Sequence, residues 1–104
     1  MSRLITEIRP VTRSKYKIYL DEEFAFVLYR SELLHYKLEE DHMLSDETYE
    51  KILQETLAER ARNTMVRLLG ESEKSTLQVR ERLKKNGIPD EIIEEIIKIG
   101  RAHV

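Results

Sequence analysis

The sequence has 104 residues, 37% of them charged, a formal net charge of −2 and no cysteine. This length predicts one domain or a fragment of one. The lack of cysteine excludes a disulfide scaffold and a thiolate zinc site, and the charge balance excludes a polycation that coats nucleic acid without specificity. The N-terminus, MSRLITEIRP, is charged where a signal peptide would need an apolar stretch. No run approaches the ~20 apolar residues of a membrane span. We therefore expect a cytoplasmic protein without membrane contact.

The first predicted elements are two β-strands. In KYKIYL (15–20) and FAFVLY (24–29) apolar residues recur at every second position, which is typical of half-buried strands and predicts a hairpin. The link Asp21-Glu22-Glu23 contains neither Asn-Gly nor Asp-Gly, the pairs that two-residue turns prefer. We therefore expect a hairpin loop of about three to five residues.

A further strand and a short helix complete the N-terminal half. RLITEIRPV (3–11) is expected to be an edge strand, because Pro10 cannot donate to a β-ladder. Residues 1–30 thus form a three-stranded antiparallel meander in this interpretation. Ser31 can cap a helix, and residues 31–44 are predicted to be a linker helix.

From residue 45 to residue 98 the hydrophobic period is that of three helices. Ser45, followed by two acidic residues, indicates the start of a long helix that ends at Gly70. Its apolar residues are Tyr49, Ile52, Leu53, Leu57, Ala61, Met65 and Leu68.

Two shorter helices follow. Ser75 is expected to cap the first, which ends at Asn86-Gly87, and Pro89 suits the first turn of the next. The sequence therefore predicts a mainly α protein with a small N-terminal antiparallel β-sheet, a linker helix and one three-helix repeat.

Patterns for catalysis, metal or cofactor binding are weak. His35, His42 and His103 lie far apart and lack the spacing of zinc ligands. The three glycines are too scattered to form a phosphate-binding loop. Paired carboxylates such as Glu94-Glu95 have no candidate nucleophile beside them and are interpreted as solvated surface. We expect no catalytic site, no metal, no cofactor and no enzymatic activity.

The basic second helix of the repeat, residues 75–86, is the best candidate for a binding site. Its helical period places Val79 and Leu83 on the buried side, with two cations on each flank. Such cations are also ordinary surface residues that complement the helix dipole, so a solvated surface and a contact with phosphate or an acidic partner both remain open. The candidate partner-binding residues are Leu77, Arg80, Arg82, Lys84, Lys85, Arg60 and Arg67.

Two stretches resemble a known family. LGESEKS (69–75), followed by Gln78-Val79-Arg80, Leu83-Lys84-Lys85 and Gly87, resembles the first three-helix repeat of RecX regulatory proteins. The segment from KYKIYL to DETYEKI (15–52) resembles the hairpin extension and linker of RecX from low-GC Gram-positive bacteria. The resemblance covers about residues 4–98. This sequence departs from the family pattern at Ser72 and Lys74, where the family has arginines, and at Gln78, where it has glutamate.

The resemblance implies a non-catalytic adaptor of the RecA recombinase. Such a protein lies in the groove of the RecA filament and limits filament extension, strand exchange and co-protease activity. The family pattern continues through two more repeats, so the resemblance implies that this sequence holds one repeat and is a truncated fragment. Stacked repeats each add contacts, and one repeat would lose most of that avidity.

An alternative interpretation is a small nucleic-acid-binding helical domain that binds single- or double-stranded DNA. Its footprint would combine the basic helix with the N-terminal segment, residues 3–17. That segment has five cations and a single carboxylate, Glu7. The cations are Arg3, Arg9, Arg13, Lys15 and Lys17.

The C-terminal part gives two further expectations. The apolar arc of the last helix spans about 180°, wider than the ~100° that one neighbouring helix covers, which predicts self-association through this helix. The arc consists of Ile88, Ile92, Ile93, Ile96 and Ile97. The last residues, IGRAHV (99–104), neither continue the helical period nor resemble a link between repeats. We expect them to be a non-native tail, from a reading frame that ran into adapter sequence.

Overall fold

The computed structural model describes residues 2–71 and 75–102. The chain divides into two compact units, Met1–Glu50 and Lys51–Val104. Part of the LGESEKS run (72–74) and the last two residues, His103 and Val104, lie outside the described residues. Within the described part, no helix has both the length and the apolar character needed to cross a membrane.

The first unit contains a four-stranded antiparallel sheet in the order β3-β2-β1-β4. The three predicted strands are confirmed as β1 (Arg3–Pro10), β2 (Lys15–Leu20) and β3 (Glu23–Tyr29). The fourth, β4 (Met43–Leu44), was not predicted, since two residues are too few to show a period. It pairs with the start of β1, where the Ile5 N–H donates to the His42 carbonyl at 2.9 Å. One face of the sheet is buried and carries Ile5, Ile18, Leu20, Phe26 and Leu28.

The turn between β2 and β3 differs from the expected longer loop. Leu20 pairs with Glu23, so the turn has two residues, Asp21 and Glu22, with φ of 51° and 68°. Positive φ at both central positions is the geometry of the two-residue turns that match strand twist. Hydrogen bonds from β1 hold it: the Asp21 N–H donates to the Leu4 carbonyl at 2.8 Å, and the Glu22 N–H donates to Thr6 Oγ1 at 3.0 Å. These hydrogen bonds hold the positive φ angles of a turn that contains no glycine.

The substitution Glu22→Gly is expected to raise the free energy of unfolding by about 0.5 kcal/mol. A left-handed conformation costs a non-glycine residue roughly 1–2 kcal/mol, and the added freedom of glycine in the unfolded chain offsets part of that gain. Urea unfolding measures the change. The matched control is Glu23→Gly, one residue later in β3, which should destabilise the protein. Equal losses in both variants would contradict the turn geometry.

The predicted linker helix is shorter than expected. It spans Arg30–Tyr36 (α1), and Lys37 ends it with a left-handed φ of 55°. The predicted cap, Ser31, is wrong, because the helix begins one residue earlier. The Tyr29 N–H donates to a carboxylate oxygen of Glu32 at 2.7 Å, so the Glu32 side chain provides a hydrogen-bond acceptor for the backbone at the start of α1.

A long helical segment begins at the predicted position. Ser45 Oγ accepts a hydrogen bond from the Thr48 N–H at 3.2 Å. Helix α2 (Asp46–Lys51) is followed directly by a π-helical stretch (Ile52–Leu57) and by α3 (Ala58–Glu71). Gly70 lies inside α3 and does not end the helix. The buried residues of this segment are Ile52, Leu53, Leu57, Ala58, Ala61, Thr64 and Leu68.

The second unit packs α3, α4 (Thr76–Lys85) and α5 (Asp90–Ala102) against one another. The isoleucines at 88, 92, 93, 96 and 97 are all at most 7% exposed. The premise of self-association, an uncovered isoleucine arc, is therefore wrong, because the chain itself buries these side chains. Helix α5 also continues through Gly100, beyond the point where its period was expected to end. The non-native origin of residues 99–104 stays a prediction.

Candidate partner-binding surface

Local sequence signals fix both ends of the basic helix α4. Ser75 Oγ accepts the Gln78 N–H at 3.2 Å, and the Gln78 side-chain oxygen accepts the Ser75 N–H at 2.9 Å. This reciprocal pair is a capping box, and it confirms the predicted start. Gln78, which stands where the family pattern has glutamate, supplies the side chain of this box.

The C-terminal end of α4 is a left-handed turn at Gly87, with φ of 77°. The Gly87 N–H donates to the Lys84 carbonyl at 3.0 Å, and the Ile88 N–H donates to the Leu83 carbonyl at 3.1 Å. These two bonds form a Schellman motif, in which glycine avoids the penalty that a Cβ would impose. The predicted stop at Asn86-Gly87 is confirmed. The turn fixes where α5 starts relative to the cations of α4.

The two flanks of α4 have different surroundings. On the flank toward α5, Arg80 forms an ion pair with Glu94, and the Lys84 ammonium lies 3.6 Å from a carboxylate oxygen of Asp90. Both pairs join α4 to α5 within the second unit. Each of these two cations thus has a carboxylate partner inside the chain, an arrangement that fits a role in joining α4 to α5.

Exchanging the charges of one pair tests this role. Arg80→Glu alone is expected to lower the free energy of unfolding, because it places a carboxylate beside Glu94. The side chains are 36% and 57% exposed, so the loss should stay within about 1 kcal/mol. Adding Glu94→Arg should restore most of it, which a double-mutant cycle by urea unfolding can measure. Additive effects of the two changes would show that the pair contributes nothing.

The other flank of α4 faces α3 and borders an open groove of about 260 Å³. Its lining residues are Leu68 from α3 and Gln78, Glu81, Arg82 and Lys85 from α4. No ion pair among the described residues involves Arg82 or Lys85. This groove, called the α3/α4 groove below, brings two exposed cations and the Glu81 carboxylate beside one apolar side chain, Leu68.

The structure brings together only part of the predicted site. Arg82 and Lys85 share the α3/α4 groove, whereas Leu77, Arg60 and Arg67 are not among its lining residues. Leu77 is 62% exposed, as expected for an apolar contact residue, and Arg67 is exposed while Arg60 is half-buried. Sequence analysis missed the groove itself, because it depends on how α3 and α4 pack.

The basic N-terminal segment is partly neutralised. A guanidinium nitrogen of Arg3 lies 2.8 Å from the Asp46 carboxylate, and the Arg3 group covers the Tyr49 ring at 3.7 Å. Arg9 pairs with Glu7 at 2.8 Å. The Glu7 carboxylate raises the pKa of the Arg9 guanidinium, first through the hydrogen bond and then through its charge. Two of the five cations therefore have carboxylate partners.

Histidine and acidic side chains do not gather into a metal site in the described residues. No group of three or more His, Cys, Asp or Glu side chains there has a suitable arrangement. The imidazole Nε2 of His42 lies 3.5 Å from Glu39, and both side chains are well exposed. A surface contact explains this pair.

In comparison with known proteins, the match to a family model lies in the helical unit. Residues 61–98 match the family model for the first three-helix domain of RecX. No curated protein matches the sequence. A solved structure described as a crystal structure of regulatory protein RecX is similar to 99% of this chain, with 24% identity and a TM-score of 0.48. The chain spans 51% of that structure.

Proposed function

We propose that this chain, whose residues 61–98 match the family model for the first three-helix domain of RecX, is a cytoplasmic, non-catalytic regulator that binds the RecA recombinase filament. The observation that carries the proposal is the match of α3, α4 and α5 to the first three-helix domain of RecX. Binding to RecA would let the protein modulate recombination and DNA repair.

The α3/α4 groove is the surface that we assign to this interaction. Arg82 and Lys85 give it two cations that have no ion-pair partner among the described residues. Leu77, on the same helix, adds an exposed apolar side chain. Arginine is enriched in protein interfaces, so the matching filament surface should offer a carboxylate to Arg82 and an apolar contact to Leu77.

A single repeat should bind weakly. Arrays of repeats gain affinity because each repeat adds contacts along an extended surface, and linked sites raise avidity about 10²- to 10⁴-fold. The repeat in residues 45–98 has none of that gain by itself. We therefore expect an affinity on the order of micromolar or weaker, and assays should use the chain in excess over RecA.

RecA-catalysed strand exchange tests the proposed regulation. Added in excess, the chain should slow the exchange between circular single-stranded and linear duplex DNA, because a protein bound along the filament hinders its extension. Leu83→Ala, which is expected to destabilise the helical unit and leave part of the protein unfolded, provides the control of reduced activity. Strand exchange at an unchanged rate under saturating wild-type protein would overturn the proposed regulation.

A further inference from the structure

The outer face of the sheet, opposite its buried face, combines aromatic rings with cations. Cross-strand pairs place Lys15 beside Tyr29, Lys17 beside Val27, and Tyr19 beside Phe24. Arg9 of β1 pairs with Lys17 and joins the same face. Ile18 and Leu20, which alternate with these residues along β2, are buried. We refer to the set Arg9, Lys15, Lys17, Tyr19, Phe24 and Tyr29 as the outer sheet face.

Two of the three aromatic residues of this face are exposed to solvent. Phe24 is 48% exposed and Tyr29 is 38% exposed. Tyr19 meets Phe24 edge to face, with ring centroids 5.9 Å apart. Such a tilted pair leaves ring surface on which a planar group can stack. Burial in the chain therefore does not account for the aromatic residues here.

Cations lie beside each of these rings. The Lys15 ammonium is 5.7 Å from the Tyr29 ring centroid, and the Lys17 ammonium is 6.0 Å from that of Phe24. The Arg9 guanidinium is 5.1 Å from the Tyr19 centroid. The two lysine contacts lie at the outer limit of cation–π attraction, so they orient the ammonium groups without removing them from water. The charges can still meet a phosphate.

Charge is unevenly distributed along the face. At the end away from the β2–β3 turn, the exposed Arg13 adds to Lys15 and Lys17. Glu7 lies opposite Tyr19, nearer the turn, and is paired with Arg9. At the Lys15 end, a Glu32 carboxylate oxygen accepts the Tyr29 N–H at 2.7 Å. The β2–β3 turn itself is acidic, with Asp21, Glu22 and Glu23. An anionic ligand should therefore run toward Lys15 and leave the turn uncovered.

We propose that the outer sheet face binds single-stranded nucleic acid, with bases on Phe24 and Tyr29 and phosphates at Lys15 and Lys17. Base faces in a duplex are stacked on one another, so only a single strand offers them to exposed rings. Protein interfaces are depleted in lysine at their centre, whereas lysine beside aromatic side chains suits a phosphate backbone with splayed bases. The site lies in the other unit from the α3/α4 groove and has a different ligand, so either proposal can fail alone.

Fluorescence anisotropy with a labelled deoxythymidine oligonucleotide tests the stacking. Wild-type protein should bind it more tightly than a duplex of equal length. Phe24→Leu keeps an apolar side chain but removes the ring, and should weaken binding about 5- to 150-fold, the range for one stacked base. Met43→Ala, at an exposed position of β4, is the control and should bind as wild type does. Equal binding of single strand and duplex, no binding, or a folded Phe24→Leu variant with wild-type affinity would overturn the proposal.

Salt dependence tests the phosphate contacts separately. Lys15→Gln combined with Lys17→Gln should reduce the slope of log affinity against log salt concentration by about 1.4, since each phosphate contact on a single strand contributes about 0.7. Lys37→Gln combined with Lys98→Gln removes the same charge elsewhere and should leave the slope nearly unchanged. Equal slopes in the two double variants, with both folded by circular dichroism, would contradict phosphate binding at this face.

Discussion

Leu83→Ala is expected to lower the free energy of unfolding of the helical unit by about 2–5 kcal/mol, enough to populate unfolded protein at room temperature. Leu83 is fully buried on α4, which packs between α3 and α5. Its carbonyl also accepts the Ile88 N–H in the turn that leads to α5. The substitution removes side-chain volume from the core at the place where α3 and α5 pack against α4. Urea unfolding followed by circular dichroism measures the loss.

The matched control is Leu77→Ala, the same change on the same helix. Leu77 is 62% exposed, so its truncation should change the free energy of unfolding by no more than about 0.5 kcal/mol. If Leu77 contacts the partner, the same variant should nevertheless weaken filament binding. Similar stability losses in both variants would mean that α4 does not pack as described.

The double substitution Arg82→Gln and Lys85→Gln is expected to weaken binding to RecA filaments on the order of a hundredfold. A hydrogen bond to a charged group contributes about 1.5 kcal/mol or more, and each 1.4 kcal/mol is a factor of ten in affinity. Both residues line the α3/α4 groove at the surface, so the fold should be unaffected. Titration of labelled protein with preformed filaments gives the affinity.

The double variant Arg80→Gln and Lys84→Gln separates the effect of where the cations lie on α4 from the effect of losing two positive charges. It removes the same charge from the same helix, but these two cations already pair with Glu94 and Asp90. We expect a small loss of stability and little change in filament affinity. The opposite order, with this variant the weaker binder, would move the interface to the α5 flank of α4.

The helical unit was largely predictable because its signals are local. Ser75 and Gln78 form a capping box from residues three apart, and Gly87 ends the helix within its own turn. The period of the helices also identified the buried side of α4. What the sequence did not reveal was which flank of α4 meets which neighbour. That required the positions of Glu94 and Asp90, which depend on the packing of α5.

Predictions failed where distant residues decide the local geometry. The two-residue turn at Asp21-Glu22 forms without glycine, because Leu4 and Thr6 of β1 hold it. Strand β4 has only two residues and exists through its pairing with β1. The isoleucines of α5 suggested an uncovered arc, yet α3 and α4 both pack against this helix and the side chains are buried. Periodicity shows how wide an apolar surface is, but not how many neighbours cover it.

Sedimentation of the wild-type chain with RecA filaments assembled on single-stranded DNA tests the central claim most directly. The same DNA coated with a single-strand-binding protein serves as the reference, since it controls for direct binding of DNA by the chain. The account predicts that the chain sediments with RecA filaments in a saturable manner and much less with the reference. Equal sedimentation with both, or none with either at concentrations well above micromolar, would contradict it.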